Sequence, residues 1–276
     1  MKLLLGTMSF ALLAGVPASQ AALTALASSS FTNQYNAGDI LNSDPHPTAT
    51  GSNNTVSPWS LAGMGGTATI TLNTGSDPDA VHFTQTGQNT GNGWIQQDTG
   101  SSPFESFTGS WTLEIRARLG DATTGAARTL TNGFVVWTDL LGNNQIVTID
   151  EDRVALYGTN NAGTELVSST NLNADGNYHT FRIAYEHNAT SPAASLFHIF
   201  RDGVDLTGGT GVLRRGSAAT TRLIAGDCCS GAGGINAMDV DVEYVRMTSG
   251  AFRPVPEPAV SLLGGLGLLG LLRRRR

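Results

Sequence analysis

From Trp111 to Leu119 the chain alternates. Trp111, Leu113, Ile115, Ala117 and Leu119 fall on one face, and Thr112, Glu114, Arg116 and Arg118 on the other. A period of two with one apolar side is the pattern of an antiparallel strand with one buried face. Similar runs occupy Ala68–Leu72, Val81–Thr84, Gly133–Thr138, Gln145–Asp150, Arg153–Tyr157, Tyr178–Glu186, Leu196–Arg201 and Met238–Met247. Asp202-Gly203 and Gly142-Asn143-Asn144 between them have the composition of hairpin turns. No amphipathic helix separates the runs, so their apolar faces must be buried sheet against sheet, and the pattern predicts an all-β antiparallel sandwich. Patterning is weaker over residues 22–66, where Ser43–Pro58 reads as a polar loop rich in Pro, Asn and Thr.

Both ends depart from this pattern. Met1 and Lys2 precede an apolar run, Leu3–Val16, and then Pro17-Ala18-Ser19-Gln20-Ala21. One basic residue, an apolar stretch and small residues at −3 and −1 predict a signal peptide over 1–21, cleaved after Ala21. About 14 helical residues reach only ~21 Å, too short for a ~30 Å hydrocarbon core. At the other end Val255-Pro256-Glu257-Pro258 is followed by an uncharged run, 259–272, and by Arg273, Arg274, Arg275 and Arg276. The prolines stop any preceding element. The run predicts a short transmembrane helix whose arginines stay cytoplasmic, which places the 22–253 domain on the opposite side.

Charged residues make up 14% of the chain against 34 glycines, in keeping with a secreted β-protein. The net charge is −6. Setting aside Lys2 and the four terminal arginines leaves 11 basic residues against 22 acidic ones, about −11 in formal charge, which argues against nucleic acid as a partner. The two cysteines, Cys228 and Cys229, are adjacent. Neighbouring Cα atoms lie about 3.8 Å apart, below the ~4.4–6.8 Å usual for a disulfide. A strained vicinal bridge, an intermolecular bridge and free thiols all remain open.

The terminal features together resemble the PEP-CTERM sorting signal of Gram-negative bacteria, carried by Val255-Pro256-Glu257-Pro258, the apolar helix and the basic cluster. The resemblance implies an exosortase-type membrane peptidase as partner, after the general secretion machinery and signal peptidase. It also implies transient anchoring in the inner membrane and a final location at the cell surface or in the extracellular matrix. Within the domain, Asn177-Tyr178-His179-Thr180-Phe181-Arg182-Ile183-Ala184-Tyr185, the run Leu196–Arg201 with Asp202-Gly203, and Val242-Glu243-Tyr244-Val245-Arg246 resemble strands of laminin-G and concanavalin A-like domains. That resemblance implies a jelly-roll sandwich, an architecture that hosts many functions.

Asp239-Val240-Asp241-Val242-Glu243 presents three carboxylates on one strand face, and a pair of suitably spaced carboxylates can hydrolyse a glycoside. Retaining glucanases of the resembled fold carry Glu-x-Asp-x-Glu on a strand, and here the first position is aspartate. The alternative is a solvated face with Val240, Val242 and Tyr244 packed inward. Calcium, a cation used often in this fold family, has one candidate ligand, Asp227 in its Gly-rich stretch. His46, His82, His179, His187 and His198 form no His-Glu-x-x-His motif, and no Gly-x-Ser-x-Gly elbow or phosphate loop occurs. Of Trp59, Trp94, Trp111 and Trp137, Trp94 is the candidate for stacking on a sugar from a loop, because Gly91, Asn92 and Gly93 precede it. The expected function is a non-catalytic binding module with exopolysaccharide as the leading ligand class. The alternatives are a polysaccharide hydrolase or lyase built on 239–243, and a purely structural matrix component.

Overall fold

The computed structural model describes residues 23–41, 59–62, 69–73, 79–86, 93–97, 107, 109–120, 134–140, 143–149, 154–157, 173, 175–191, 194–213, 222–227 and 237–255. The leader, Cys228, Cys229, the Ser43–Pro58 loop and the tail from Pro256 onward lie outside them. Seventeen strands are described: β1 (Thr24–Leu26), β2 (Asn33–Asn36), β3 (Trp59–Ala62), β4 (Thr69–Asn73), β5 (Ala80–Thr86), β6 (Gly93–Gln97), β7 (Trp111–Leu119), β8 (Phe134–Leu140), β9 (Asn143–Ile149), β10 (Val154–Tyr157), β11 (His179–Glu186), β12 (Leu196–Arg201), β13 (Val204–Asp205), β14 (Val212–Leu213), β15 (Arg222–Asp227), β16 (Ala237–Ser249) and β17 (Phe252–Pro254). The one α-helix among the described residues, α1 (Ala37–Ile40), is a single turn capped by a reciprocal pair of Asn36 and Asp39 bonds.

Two sheets carry the fold. One has six strands in the order β10-β9-β8-β15-β6-β3, and the other nine, along β13-β12-β11-β7-β16-β5-β4, with β14 on β12 and β2 on β16. Their inner faces form one core, in which Trp59, Ile95, Val147, Leu223 and Ala225 of the smaller sheet meet Phe83, Leu113, Ile115, Phe181, Val240 and Met247 of the larger. Trp111 is fully buried, its ring centroid 5.6 Å from Tyr185 and 5.9 Å from Phe197. The alternation read from the sequence thus places the inward faces, since side chains two apart share a side.

The β12–β13 hairpin closes on Asp202-Gly203 with φ of 47° and 81°. Positive φ at both central residues is the type I′ turn, whose twist matches the flanking strands. Asp202 also ties the hairpin to β11, because Oδ1 accepts the Thr180 N–H at 2.8 Å and Oδ2 lies 2.6 Å from His179 Nδ1. Asp175 holds the other ring nitrogen of His179 at 3.0 Å. The backbone N–H of Asn177 bonds the Asp175 carboxylate and, with the Asn177 side chain, lowers its pKa to about 2.

Three expectations are corrected. Asn143 and Asn144 are not turn residues but open β9, paired with Leu140 and Asp139. β7 is not half-buried along its whole length, because Thr112 and Glu114 on its outward face are as buried as Trp111. Their cover is the β1–β17 pair: the two strands run parallel, with Leu26 opposite Pro254, and Arg253 Nε donates to Leu23 O at 2.9 Å. The third correction is Tyr244, which does not pack inward. A bulge between Val242 and Tyr244 turns it outward, where its hydroxyl donates to Glu114 Oε1 at 3.0 Å.

Candidate site on the outer face of the large sheet

Strand β16 lies between β5 and β7, and their registers bring three outward side chains into one row: His82 opposite Asp241, and Asp241 opposite Arg118. The next residue along the row is Tyr178, one position before β11, with the Arg118 guanidinium 5.0 Å from its ring centroid. Asp241 is the hub. His82 Nδ1 lies 2.7 Å from Oδ1, while Arg118 donates to Oδ2 from Nε at 3.1 Å and from Nη2 at 2.6 Å. The bulge aims Glu243 at the neighbouring Arg116, whose Nε donates to it at 2.5 Å. Arg116 also lies 5.6 Å from the Tyr178 ring.

An open cleft of about 440 Å³ sits over this row, lined by His82, Arg118, Gly120, Gly176, Asp239 and Asp241. Asp239 lies 4.0 Å from His82 Nδ1. Its place depends on Gly120, whose N–H donates to Asp239 O at 2.8 Å and where a Cβ would overlap the Asp239 carboxylate. Around the cleft, the buried Tyr178 hydroxyl makes no hydrogen bond among the described residues.

Electrostatics follow from these contacts. The hydrogen bond to Asp241 raises the pKa of His82 against the opposing effect of burial. Burial alone would raise Asp241, but the bonds from His82 and Arg118 outweigh it, so its carboxyl sits below the usual range and stays ionised. Burial, and next the negative charge of Asp241, push the Tyr178 phenol up. His82 therefore stabilises the fold fully below about pH 6.5 and loses that contribution as pH rises through its higher folded pKa, whereas Asp241 contributes above about pH 4 and loses it as pH falls. We expect His82→Gln to cost about 1.5–3 kcal/mol near pH 5 and less at pH 9. Thermal unfolding of both proteins across this range checks it, and a gap that widens toward alkaline pH contradicts it.

The site gathers two of the carboxylates singled out in the sequence, Asp241 and Asp239, with Glu243 beside them. It adds His82, Arg116, Arg118 and Tyr178, which the sequence reading left aside. One signal was present: Arg116-x-Arg118 and Asp241-x-Glu243 share a period of two, so antiparallel neighbours could face guanidinium to carboxylate. Trp94 is placed not in a loop but in β6, paired with Ala62 and Gly226. Trp59 and Trp111 are core residues, and Trp137 lies in β8. Asp227 ends β15 opposite Gly93. Among the described residues no group of three or more His, Cys, Asp or Glu side chains is placed to hold a metal ion. The carboxylate pair at the cleft does not suit calcium, because both oxygens of Asp241 are already taken by His82 and Arg118.

A second hollow, of about 320 Å³, opens beside the β1–β17 pair. The ion pair of Glu114 and Arg182 lines it, together with Ala27, Ser28, Pro254 and Val255. Each guanidinium nitrogen of that pair is engaged in structure: Nε on Glu114 Oε2 at 2.7 Å, Nη1 on Leu26 O at 2.8 Å and Nη2 on Ser28 Oγ at 3.3 Å.

No family model matches the sequence, and no curated protein matches it. Solved structures with a related fold include a carbohydrate esterase from the Shiga toxin-encoding bacteriophage phi24B, at TM-score 0.44 and 15% identity over 70% of this chain and 90% of that one. Alginate lyase Aly36B in complex with alginate tetrasaccharide aligns at TM-score 0.46 and 11% identity over 80% and 98%. Alginate lyase vAL-1 from Chlorella virus aligns at TM-score 0.46 and 9% over 70% and 93%. The likeness is one of antiparallel sandwich architecture and bears on neither ligand nor chemistry. Among the described residues no helix is long and apolar enough to cross a membrane.

Proposed function

We propose that this protein is an exported carbohydrate-binding module of the cell surface or extracellular matrix, with a jelly-roll, concanavalin A-like domain that holds its ligand over β5, β16 and β7 without turning it over. The observation that carries this reading is the His82–Asp241–Arg118 row in an open polar cleft. It sets the His82 ring and the Arg118 guanidinium on either side of Asp241, polar groups that suit the hydroxyls of a sugar. The same row disfavours hydrolysis. Glycoside hydrolysis needs one carboxyl protonated near neutral pH, and Asp241, held ionised by two partners, cannot supply it. The Tyr178 phenol, shifted upward, is a poor base for a lyase reaction near neutral pH, which leaves His82 as the candidate base of the row and makes the product assay the deciding one. A purified-protein screen on a glycan array, run beside assays for reducing ends and for unsaturated products, tests the reading. Binding without products is expected, whereas silence on the array or steady product release overturns it.

Export rests on the terminal sequence: a leader removed after Ala21 by signal peptidase, then a PEP-CTERM tail processed by an exosortase-type peptidase. Val255, the first residue of the sorting motif, stands 47% exposed at the end of β17, as a handle for a peptidase requires. Intact-mass measurement of the protein from its native host should show both ends removed, with the new C-terminus near Pro256–Pro258. Chains that retain Arg276 in a host encoding an exosortase contradict this.

A further inference from the structure

We infer that in the tail-bearing protein the tip of the β12–β13 hairpin and Val255 form one surface that rests on a lipid bilayer; the inference depends on the tail reading above, in which 259–272 enters the membrane. Among the described residues Val204, 62% exposed, and Val255, 47% exposed, are the large apolar side chains left in solvent. Both stand at one end of the domain. Gly203 of the hairpin and Val255 line the same hollow of about 320 Å³, and β17 packs against both β11 and β12. The course of β17 shows where the chain leaves. The Phe252 N–H bonds Thr112 Oγ1, and Thr112 is paired with Ala184 of β11, whereas Val255 reaches the hollow lined by Thr180 and Asp202. β17 therefore runs along β11 from Ala184 toward Thr180, and the chain departs beside the hairpin.

The length of chain beyond Val255 says what this surface meets. Pro256, Glu257 and Pro258 alone separate Val255 from the uncharged run 259–272. Fully extended, the four steps from Val255 to Ala259 span only about 14 Å. A bilayer that takes up the run lies within that reach of Val255, and the hairpin beside it comes to the headgroups as well. The polar groups of the hairpin are turned back into it: Asp202 accepts the Thr180 N–H and meets the His179 ring, and Asp205 accepts the N–H groups of Thr207 and Gly209. Gly203 and Val204 are left at the tip, on a turn whose two positive φ values fix its shape. One valine adds little apolar area, so the contact orients a domain that the tail already tethers.

The test uses tail-bearing protein, made in a host without an exosortase, in phosphatidylcholine vesicles whose brominated acyl chains quench tryptophan at the interface. Val204→Trp reports on the hairpin tip. Ala189→Trp, in the exposed loop at the opposite ends of β11 and β12, reports from about 25 Å away, the length of an eight-residue strand. The added fluorescence, taken as the difference from the parent protein, is expected to fall about twofold or more for Val204→Trp and to change by less than about a tenth for Ala189→Trp. Equal quenching at the two positions, or none at either in protein that floats with the vesicles, overturns the inference and leaves the reading of 259–272 as a membrane segment standing. Tail-bearing protein that does not float with the vesicles overturns both.

Discussion

Arg182→Ala is expected to lower stability by about 3–5 kcal/mol, the cost of breaking a buried ion pair from one side. Glu114 and Arg182 are both 1% exposed. Arg182 Nε donates to Glu114 Oε2 at 2.7 Å, its Nη groups hold Leu26 O and Ser28 Oγ, and its guanidinium lies 4.9 Å from the Phe31 ring. Without the arginine, the Glu114 carboxylate keeps the Tyr244 hydroxyl and little else. Tyr244 itself is pushed up to about 12 by burial and by that same carboxylate, so it cannot take over the charge. For a domain of this size the melting temperature should fall on the order of 10 °C, and subtilisin should cut the released N-terminal segment first. The double replacement Glu114→Leu with Arg182→Met removes both charges and should recover most of the loss. A melting temperature for Arg182→Ala within 2 °C of the parent contradicts the account of the β1–β17 packing.

Asp241→Ala should be the most damaging substitution in the cleft. It strips His82 of its hydrogen bond and Arg118 of two. Because His82 and Arg118 are about one-third exposed and can turn to water, the stability cost should stay near 1.5–3 kcal/mol, smaller than at Arg182. Binding should suffer more, because the row loses the residue that fixes both donors: a loss of at least about a hundredfold follows from three misplaced hydrogen bonds at ~1 kcal/mol each. Asp241→Asn keeps the shape and one acceptor, and should fall between the two. Titration of a bound oligosaccharide into each folded variant checks the order, and unchanged affinity for Asp241→Ala removes the cleft from the binding account.

How far these features were visible in the chain differs by residue. The limits of β7 and β12 match the alternation read from the sequence, because both are paired on two sides and their inward positions are apolar except Arg201 at the end of β12. The I′ turn at Asp202-Gly203 was equally legible, since few other residues tolerate two positive φ values in succession. The bulge at Glu243 was not. Val242-Glu243-Tyr244 keeps the alternation of an unbroken strand, and Tyr244 leaves the core only because Glu114, 130 positions away, accepts its hydroxyl. β1 and β17 are three residues each and carry no period. Their pairing comes from burial of Arg182 and from Thr112 Oγ1, which donates to Gly250 O at 2.6 Å and accepts from Phe252 N–H at 2.9 Å. The site was legible as one carboxylate strand. Its cations come from β5 and β7, and strand neighbours far apart in sequence cannot be assigned from period alone.

The most direct test of the central claim is a titration of the protein, labelled on histidine, followed by the imidazole resonances of its five histidines while an oligosaccharide is added. The account predicts saturable shifts at His82, with the pKa of that ring altered in the complex, and small or no shifts at His179, which is locked between Asp175 and Asp202 on the inner side of the sheet. Saturable binding that leaves His82 unmoved would place the ligand elsewhere on the molecule and contradict the assignment of the cleft.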